Sequence, residues 1–301
     1  MRLQSAIARN RFVDSLFAIL GLLAMLVGLV TLLALFLGLA LDGWSRLTWR
    51  FFTSYPSRFP VEAGILSAWV GTTTVMFVTA LTAVPIGVGA AVYLEEYAPK
   101  NWLTDLIEIN IANLAGVPSI VYGLLALGLL VYQLHLGQSI LTAGLTLALL
   151  ILPIVVTSAR EAIRSVPNSI REAAHALGAT KWQTVKDHVL PYATGGILTG
   201  LIIALSRAIG ESAPLITIGA LSFIAFLPHP PWQPEFPYLS FQWLLDPFTV
   251  MPIQMFNWVS RPQEEFHTNA AAAGLVLLGM TLAMNGLAIF IRARFRKQIK
   301  W

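Results

Sequence analysis

The sequence predicts an all-α integral membrane protein, a single bundle of six spans occupying residues 1–301, and three observations carry that prediction. Charged residues are only 11% of the chain and apolar ones 56%, against about 25% and 45–50% in soluble domains. The apolar residues fall in unbroken runs: Ser15–Leu41 and Ala63–Leu94 carry no charge, and Ile109–Ala159 carries only His135. Each run exceeds the roughly 20 residues that cross a bilayer. Finally, the basic residues partition. Fourteen (Arg2, Arg9, Arg11, Lys100, Arg160, Arg164, Arg171, Lys181, Lys186, Arg292, Arg294, Arg296, Lys297, Lys300) fall in segments on one side of the predicted bundle, and four (Arg46, Arg50, Arg58, Arg261) on the other. The positive-inside rule makes the first side cytoplasmic, with both termini there.

The first span, about residues 13–41, follows a short basic collar, MRLQSAIARNRF. It is too long for a signal-peptide core and no small-residue cleavage site follows, so it is expected to be retained. Trp44, Trp49, Phe51, Phe52 and Tyr55 come next. Rings of this kind favour the headgroup layer; docking a partner is the alternative. The second span, 66–94, ends with Pro85, Gly87 and Gly89, tolerated in a membrane where neighbours re-satisfy the backbone. Glu95 and Glu96 then mark the return to water. The third span is expected at 109–132 and the fourth at 140–159, separated by the polar break at Gln133–Ser139.

A polar loop, 160–190, follows. Arg171, Glu172, Ala173, Ala174 and Ala176 are good helix formers, and Gly178 can take the left-handed conformation that ends a helix. A second short helix is expected over Thr180–Val189, stopped by Pro191. The result is a helical elbow projecting from the membrane. It is either a solvated connector or a helix presented to a groove on a cytoplasmic protein.

The fifth span, 191–226, contains Arg207 and Glu211. An ionisable residue costs about 2.5–3.5 kcal/mol at a span's centre on insertion scales, so it normally faces protein or water. A helical wheel at about 100° per residue sets both beside a stripe of Gly196, Gly200, Ala204 and Ala208, and small residues permit close helix approach. The charges are therefore expected to point into an assembly. Two readings fit them: an ion pair that lowers its own burial cost, or groups lining a path in which Arg207 receives an anion through its fork of donors.

The outer loop, 227–267, holds eight of the seventeen prolines and the aromatics Trp232, Phe236, Tyr238, Phe241, Trp243, Phe248, Phe256 and Trp258. So many rings argue for a folded loop on the outer membrane face. The sixth span, 268–291, ends in the basic stop signal RARFRKQIKW.

Several classes are excluded or disfavoured. Without cysteine there is no disulfide framework and no thiol chemistry. The five histidines are dispersed, so no metal site is expected. A net charge of +4 is too small and scattered to suggest nucleic acid. No glycine-rich phosphate-binding loop followed by Lys and Ser or Thr is present, so the chain should neither bind nor hydrolyse ATP.

The loop EAAHALGATKWQTVKDHVLP (Glu172–Pro191) resembles the cytoplasmic loop of permease subunits of bacterial ATP-binding cassette (ABC) importers, with His188 standing where an aliphatic residue is usual. LEEYAP, NLAGVPSIVYGLLALG, SRAIGESAPL and MPIQMFNW are similar to segments of the phosphate-importing branch, its A subunit more than its C subunit. The resemblance implies a MetI-like fold and ATPase coupling through Glu172, Ala173, Ala174 and Gly178. It also implies a translocation role for Arg207 and Glu211. Implied partners are a second permease, a cytoplasmic ATPase dimer carrying ATP and Mg, and an external phosphate-binding protein, all at a bacterial inner membrane. His188 puts the packing at the loop's base in question. Molybdate, tungstate or sulfate import by the same architecture is the alternative. An ion-coupled secondary transporter is disfavoured because no inverted repeat is visible.

Overall fold

The uninterrupted apolar stretch after the basic collar has nothing to end a helix until Gly43, and it forms one continuous helix, α1 (Arg2–Gly43). The computed structural model describes residues 2–232 and 238–298, with backbone alone for 2–9, 12 and 295–298. Phe236 and Lys300 lie outside the described residues, as do the side chains of Arg2, Arg9, Arg296 and Lys297.

The short α2 (Trp49–Thr53) is started by the Thr48 side chain accepting from Phe51 N–H. It leads into α3 (Leu66–Val92), which continues through a π-helical turn over Tyr93–Tyr97. Next, α4 (Trp102–Leu114) begins where the Asn101 side chain accepts from Thr104 N–H. After a break come α5 (Ser119–Ala126) and a second π-helical turn, Leu127–Gln133. Ser139 caps α6 (Ile140–Arg164) by accepting from Thr142 N–H. The loop contributes α7 (Asn168–Ala176) and α8 (Lys181–Thr184). Then follow α9 (Leu190–Gly210), α10 (Ala213–Thr217), α11 (Met251–Val259) and α12 (Glu264–Gln298).

Among the described residues, five helices are long and apolar enough to cross a membrane, or six when the bent α4–α5 pair counts as one span. Of the most apolar window in each, 67% is buried in α6 but none in α1. So α6 is the hub, packed by α3 and α9, and α1 leaves its apolar surface uncovered within the chain. Close packing at the hub rests on small residues. Gly87 of α3 sits against Val155 and Leu152, Gly144 of α6 sits against Val78, and Thr79 donates to the Gly144 carbonyl at 3.2 Å. The core that results includes Ile151, Val155 and Ile163 from α6, Val75 and Ala83 from α3, and Ala204 and Ala208 from α9.

Alternation of direction places the ends. Gly43, at the end of α1, meets Ala271 and Ala272 near the start of α12. Glu95, after α3, meets Arg164 at the end of α6. The first turns of α1 and the last turns of α12 therefore lie at the end of the bundle that carries α7.

Four expectations need correction. The third span does not run straight over 109–132. The chain bends by 104° between α4 and the α5 segment, because Pro118 starts a new helix and cannot continue the old one. Only Ser119–Gln133 runs along the bundle, and α4 lies across its end. The fifth span does not reach 226: α9 ends at Gly210 and Glu211 is extended, with φ −76° and ψ 127°. Pro191 does not stop the second loop helix. It follows the π-helical turn Val185–Val189 at the start of α9, and Lys181–Gly210 is one helical run through it. Phe51 is not an interfacial ring: it is buried against Trp258, with centroids 6.0 Å apart. Trp44 and Trp49 are exposed.

The described part of the outer loop is tied to the bundle. Asp246 accepts Ile140 N–H through its carbonyl at 3.0 Å, and its carboxylate takes the His229 backbone N–H at 2.7 Å and Nδ1 at 2.8 Å. Beyond it, Phe248 and Val250 enter the core and α11 buries Met251, Ile253, Gln254 and Trp258.

Candidate functional site

Two surfaces concern function. The first is the loop elbow. Gly178 ends α7 with φ +84°, a left-handed conformation that glycine adopts without penalty. Thr180 and Gln183 then form a reciprocal capping box for α8. Ala174 is buried at the elbow's root, whereas Glu172, Ala173 and Gly178 are exposed. Leu177, 91% exposed, and Trp182 stand on the same projecting elbow. The elbow thus leaves two large apolar side chains uncovered near Glu172. His188 is exposed, so it does not disturb the packing beneath the loop.

The second surface surrounds Arg207. The glycine stripe that precedes it is consumed within the chain: Gly196 faces Ala162 and Gly200 faces Ser158, both on α6. Arg207, at the edge of that stripe, remains 42% exposed in its side chain. Its Nε donates to Glu211 Oε1 at 3.3 Å. Among the described residues its two terminal nitrogens make no hydrogen bond, which leaves both nitrogens, with four N–H groups, free for an anion. Glu211 reaches Arg207 from the extended residue just past α9, not from the helical position that the wheel assumed.

Pro214, three residues beyond Glu211, packs against Gly123. A side chain at Gly123 would run into Thr217 Oγ1 and lie 2.7 Å from the Pro214 backbone. The chain therefore brings together two stretches 90 residues apart, Val117–Gly123 and Arg207–Pro214, through a contact that only glycine allows. Tyr122, next to Gly123, donates to the Leu114 carbonyl at 2.8 Å across the bend and sits within electrostatic reach of Arg207.

A third group was missed in the sequence. At the α7 end of the bundle, Arg160 pairs with Glu108 at 2.6 Å and with Glu95 at 3.6 Å. Arg164 meets Glu95 at 3.1 Å and Arg171 meets Glu96 at 2.7 Å. Read singly, these carboxylates looked like solvated span ends. The available signal was the position of Glu108 and Arg160 at the two edges of the apolar stretch Ile109–Ala159.

A multi-helix membrane bundle with a projecting helical elbow and a charged pair beside a broken span has the architecture of a transmembrane transport subunit. Residues 83–298 match the family described as binding-protein-dependent transport system inner membrane component, and the chain belongs to that family. It is a multi-pass membrane protein and an ABC transporter permease. It is 37% identical over 202 residues to the probable ABC transporter permease protein YqgI of Bacillus subtilis, covering 67% of this chain and 68% of that one. It is 30% identical over 282 residues to the phosphate transport system permease protein PstA of Yersinia pestis, covering 93% and 89%. Its fold is similar to that of a solved bacterial ABC transporter involved in import of the acidic polysaccharide alginate. That match has a TM-score of 0.59 at 16% identity, over 98% of this chain and 99% of that one.

Proposed function

We propose that the chain is the permease subunit of an ABC importer that carries inorganic phosphate into the cell. It has no catalytic residues of its own. It works beside a second permease, over an ATPase dimer that binds ATP and Mg, and beneath an external phosphate-binding protein. It lies in a bacterial inner membrane with α7 and both termini cytoplasmic.

The observation that carries the substrate reading is the free face of Arg207. Two guanidinium nitrogens, unpartnered among the described residues, stand one turn before the end of α9 at Gly210. A fork of donors matches two phosphate oxygens. Glu211 occupies the third nitrogen and offsets the charge while no anion is present. It gives Arg207 a partner to return to, so phosphate is held only briefly. The chain's similarity to phosphate permeases supports the same reading.

The elbow supplies the drive. Glu172, Ala173 and Gly178 present the projecting helix to a groove on the ATPase while Ala174 packs beneath it and holds it to the bundle, and the ATPase moves the helix when ATP closes the dimer. ATP can shift the permease between states only by favouring one of them.

The test is the assembled complex with Arg207→Gln. It should hydrolyse ATP and stay bound to its ATPase, with phosphate uptake nearly lost. Uptake at the native rate would reduce Arg207–Glu211 to a structural pair.

A further inference from the structure

The ion pairs at the α7 end are divided between elements in a way that suggests a route for force. Glu95 and Glu96 are adjacent, yet they serve different helices. Glu95 binds Arg160 and Arg164 on α6, and Glu96 binds Arg171 on α7. The π-helical turn Tyr93–Tyr97 that continues α3 carries both carboxylates, and single π turns inside α-helices are frequent at functional sites.

Arg171 is held from several directions. Its Nε and Nη2 donate to Glu96 Oε1 at 3.0 and 2.7 Å. Its Nη1 and Nη2 also donate to the carbonyls of Val166 at 2.6 Å and Ile163 at 3.0 Å. One guanidinium thus joins the start of the projecting helix, the last turn of α6, the turn between them and the end of α3. Glu96 is 9% exposed in its side chain. A carboxylate this buried strongly resists losing its partner, so the link is stiff. At the other end of α3, Thr72 Oγ1 accepts Met251 N–H at 2.9 Å and Gly71 lies against Thr249. Helix α3 therefore connects Arg171 at one end with the outer loop at the other.

We propose that Glu96–Arg171 is the latch by which displacement of α7 is delivered to α3 and so to the outer loop. This rests on the importer reading above. Glu96 and Arg171 act as positioning residues: they touch neither phosphate nor ATP, and Glu95 with Arg160 and Arg164 keeps α3 and α6 moving together. Coupling of this kind runs through packed elements and ion pairs that adopt two arrangements.

The experiment uses the assembled complex in proteoliposomes and reads phosphate moved per ATP hydrolysed. Glu96→Gln and Glu96→Ala should keep the ATPase bound and active while that ratio falls roughly fivefold or more, within the range of measured couplings. Glu161→Gln, on the exposed face of α6, should keep the native ratio. A native ratio in assembled Glu96→Gln, or a lower yield of complex at an unchanged ratio, makes the pair structural and overturns the proposal.

A second readout does not depend on the substrate. The chain has no cysteine, so Thr73→Cys, exposed near the outer end of α3, gives a single label. ATP should change its rate of maleimide labelling, and Glu96→Gln should abolish that change. If ATP-dependent labelling persists in Glu96→Gln, the latch is refuted. If the native complex hydrolyses ATP, shows the labelling change and moves no phosphate, the substrate reading fails while the latch stands.

Discussion

Gly123→Ala is a one-methyl change whose consequence can be worked from the contact it fills. The new Cβ would run into Thr217 Oγ1 and sit 2.7 Å from Pro214 Cα and O, about 1 Å inside the 3.5–4.0 Å of ordinary carbon contacts. Thr217 can rotate away, but its hydroxyl donates to the Pro214 carbonyl at 2.8 Å, a bond whose loss costs about 0.5–1.5 kcal/mol. The Pro214 backbone cannot rotate, so α10 must lift from α5, and overpacking of this kind costs about 1–3 kcal/mol. Together these give a loss of about 1.5–4.5 kcal/mol and a lower apparent Tm. Gly128→Ala, five residues on with open space around it, is the control. It should match or slightly exceed native stability, because alanine is the better helix former. The assay is thermal unfolding in lipid nanodiscs. Native stability for Gly123→Ala, or equal losses for both variants, would refute the argument that this contact is backbone-tight.

Three further changes have worked directions. Gly178→Ala forces a side chain into φ +84° with no steric neighbour, so its cost is conformational, about 1–2 kcal/mol. Affinity for the ATPase should fall roughly 5- to 30-fold by titrated co-purification, and Gly178→Asn, which tolerates that region, should lose less. Arg46→Ala removes donors to Asn269 Oδ1 at 2.7 Å and to the carbonyls of Pro60, Val61 and Ala63. With the join between α1 and α12 loosened, a stability loss of roughly 2–4 kcal/mol should appear as a lower unfolding temperature in the same nanodisc assay. Asp246→Ala deletes both hydrogen bonds to His229 but keeps the backbone bond to Ile140. Hydrogen exchange of the His229 amide should therefore quicken while the Ile140 amide at the start of α6 stays protected.

How far the sequence reveals this structure depends on the kind of interaction. Hydropathy locates α1, α3, α6 and α12 because a lipid-facing or core helix needs only an apolar run. The elbow is legible because Gly178 and the Thr180–Gln183 capping box act within a few residues. The bend at Pro118 is hidden inside a run that stays apolar on both sides, and the π-helical turns leave hydropathy unchanged. Pro191 could end one helix or begin another, and only the continuous path through Val185–Val189 shows that it begins α9. The pairings of Arg160, Arg164 and Arg171 join residues 52 to 75 positions apart, beyond any local pattern. Arg207 and Glu211 stand out from the sequence as charges within a span, but their extended geometry and the Gly123 contact do not.

The measurement that most directly tests the central claim is uptake of labelled phosphate into proteoliposomes that hold the assembled complex, with ATP supplied on the α7 side. The account predicts ATP-dependent accumulation that excess unlabelled phosphate abolishes and that excess molybdate, tungstate or sulfate leaves largely intact. A complex that hydrolyses ATP without accumulating phosphate, or whose uptake is better blocked by one of those other oxyanions, would contradict it.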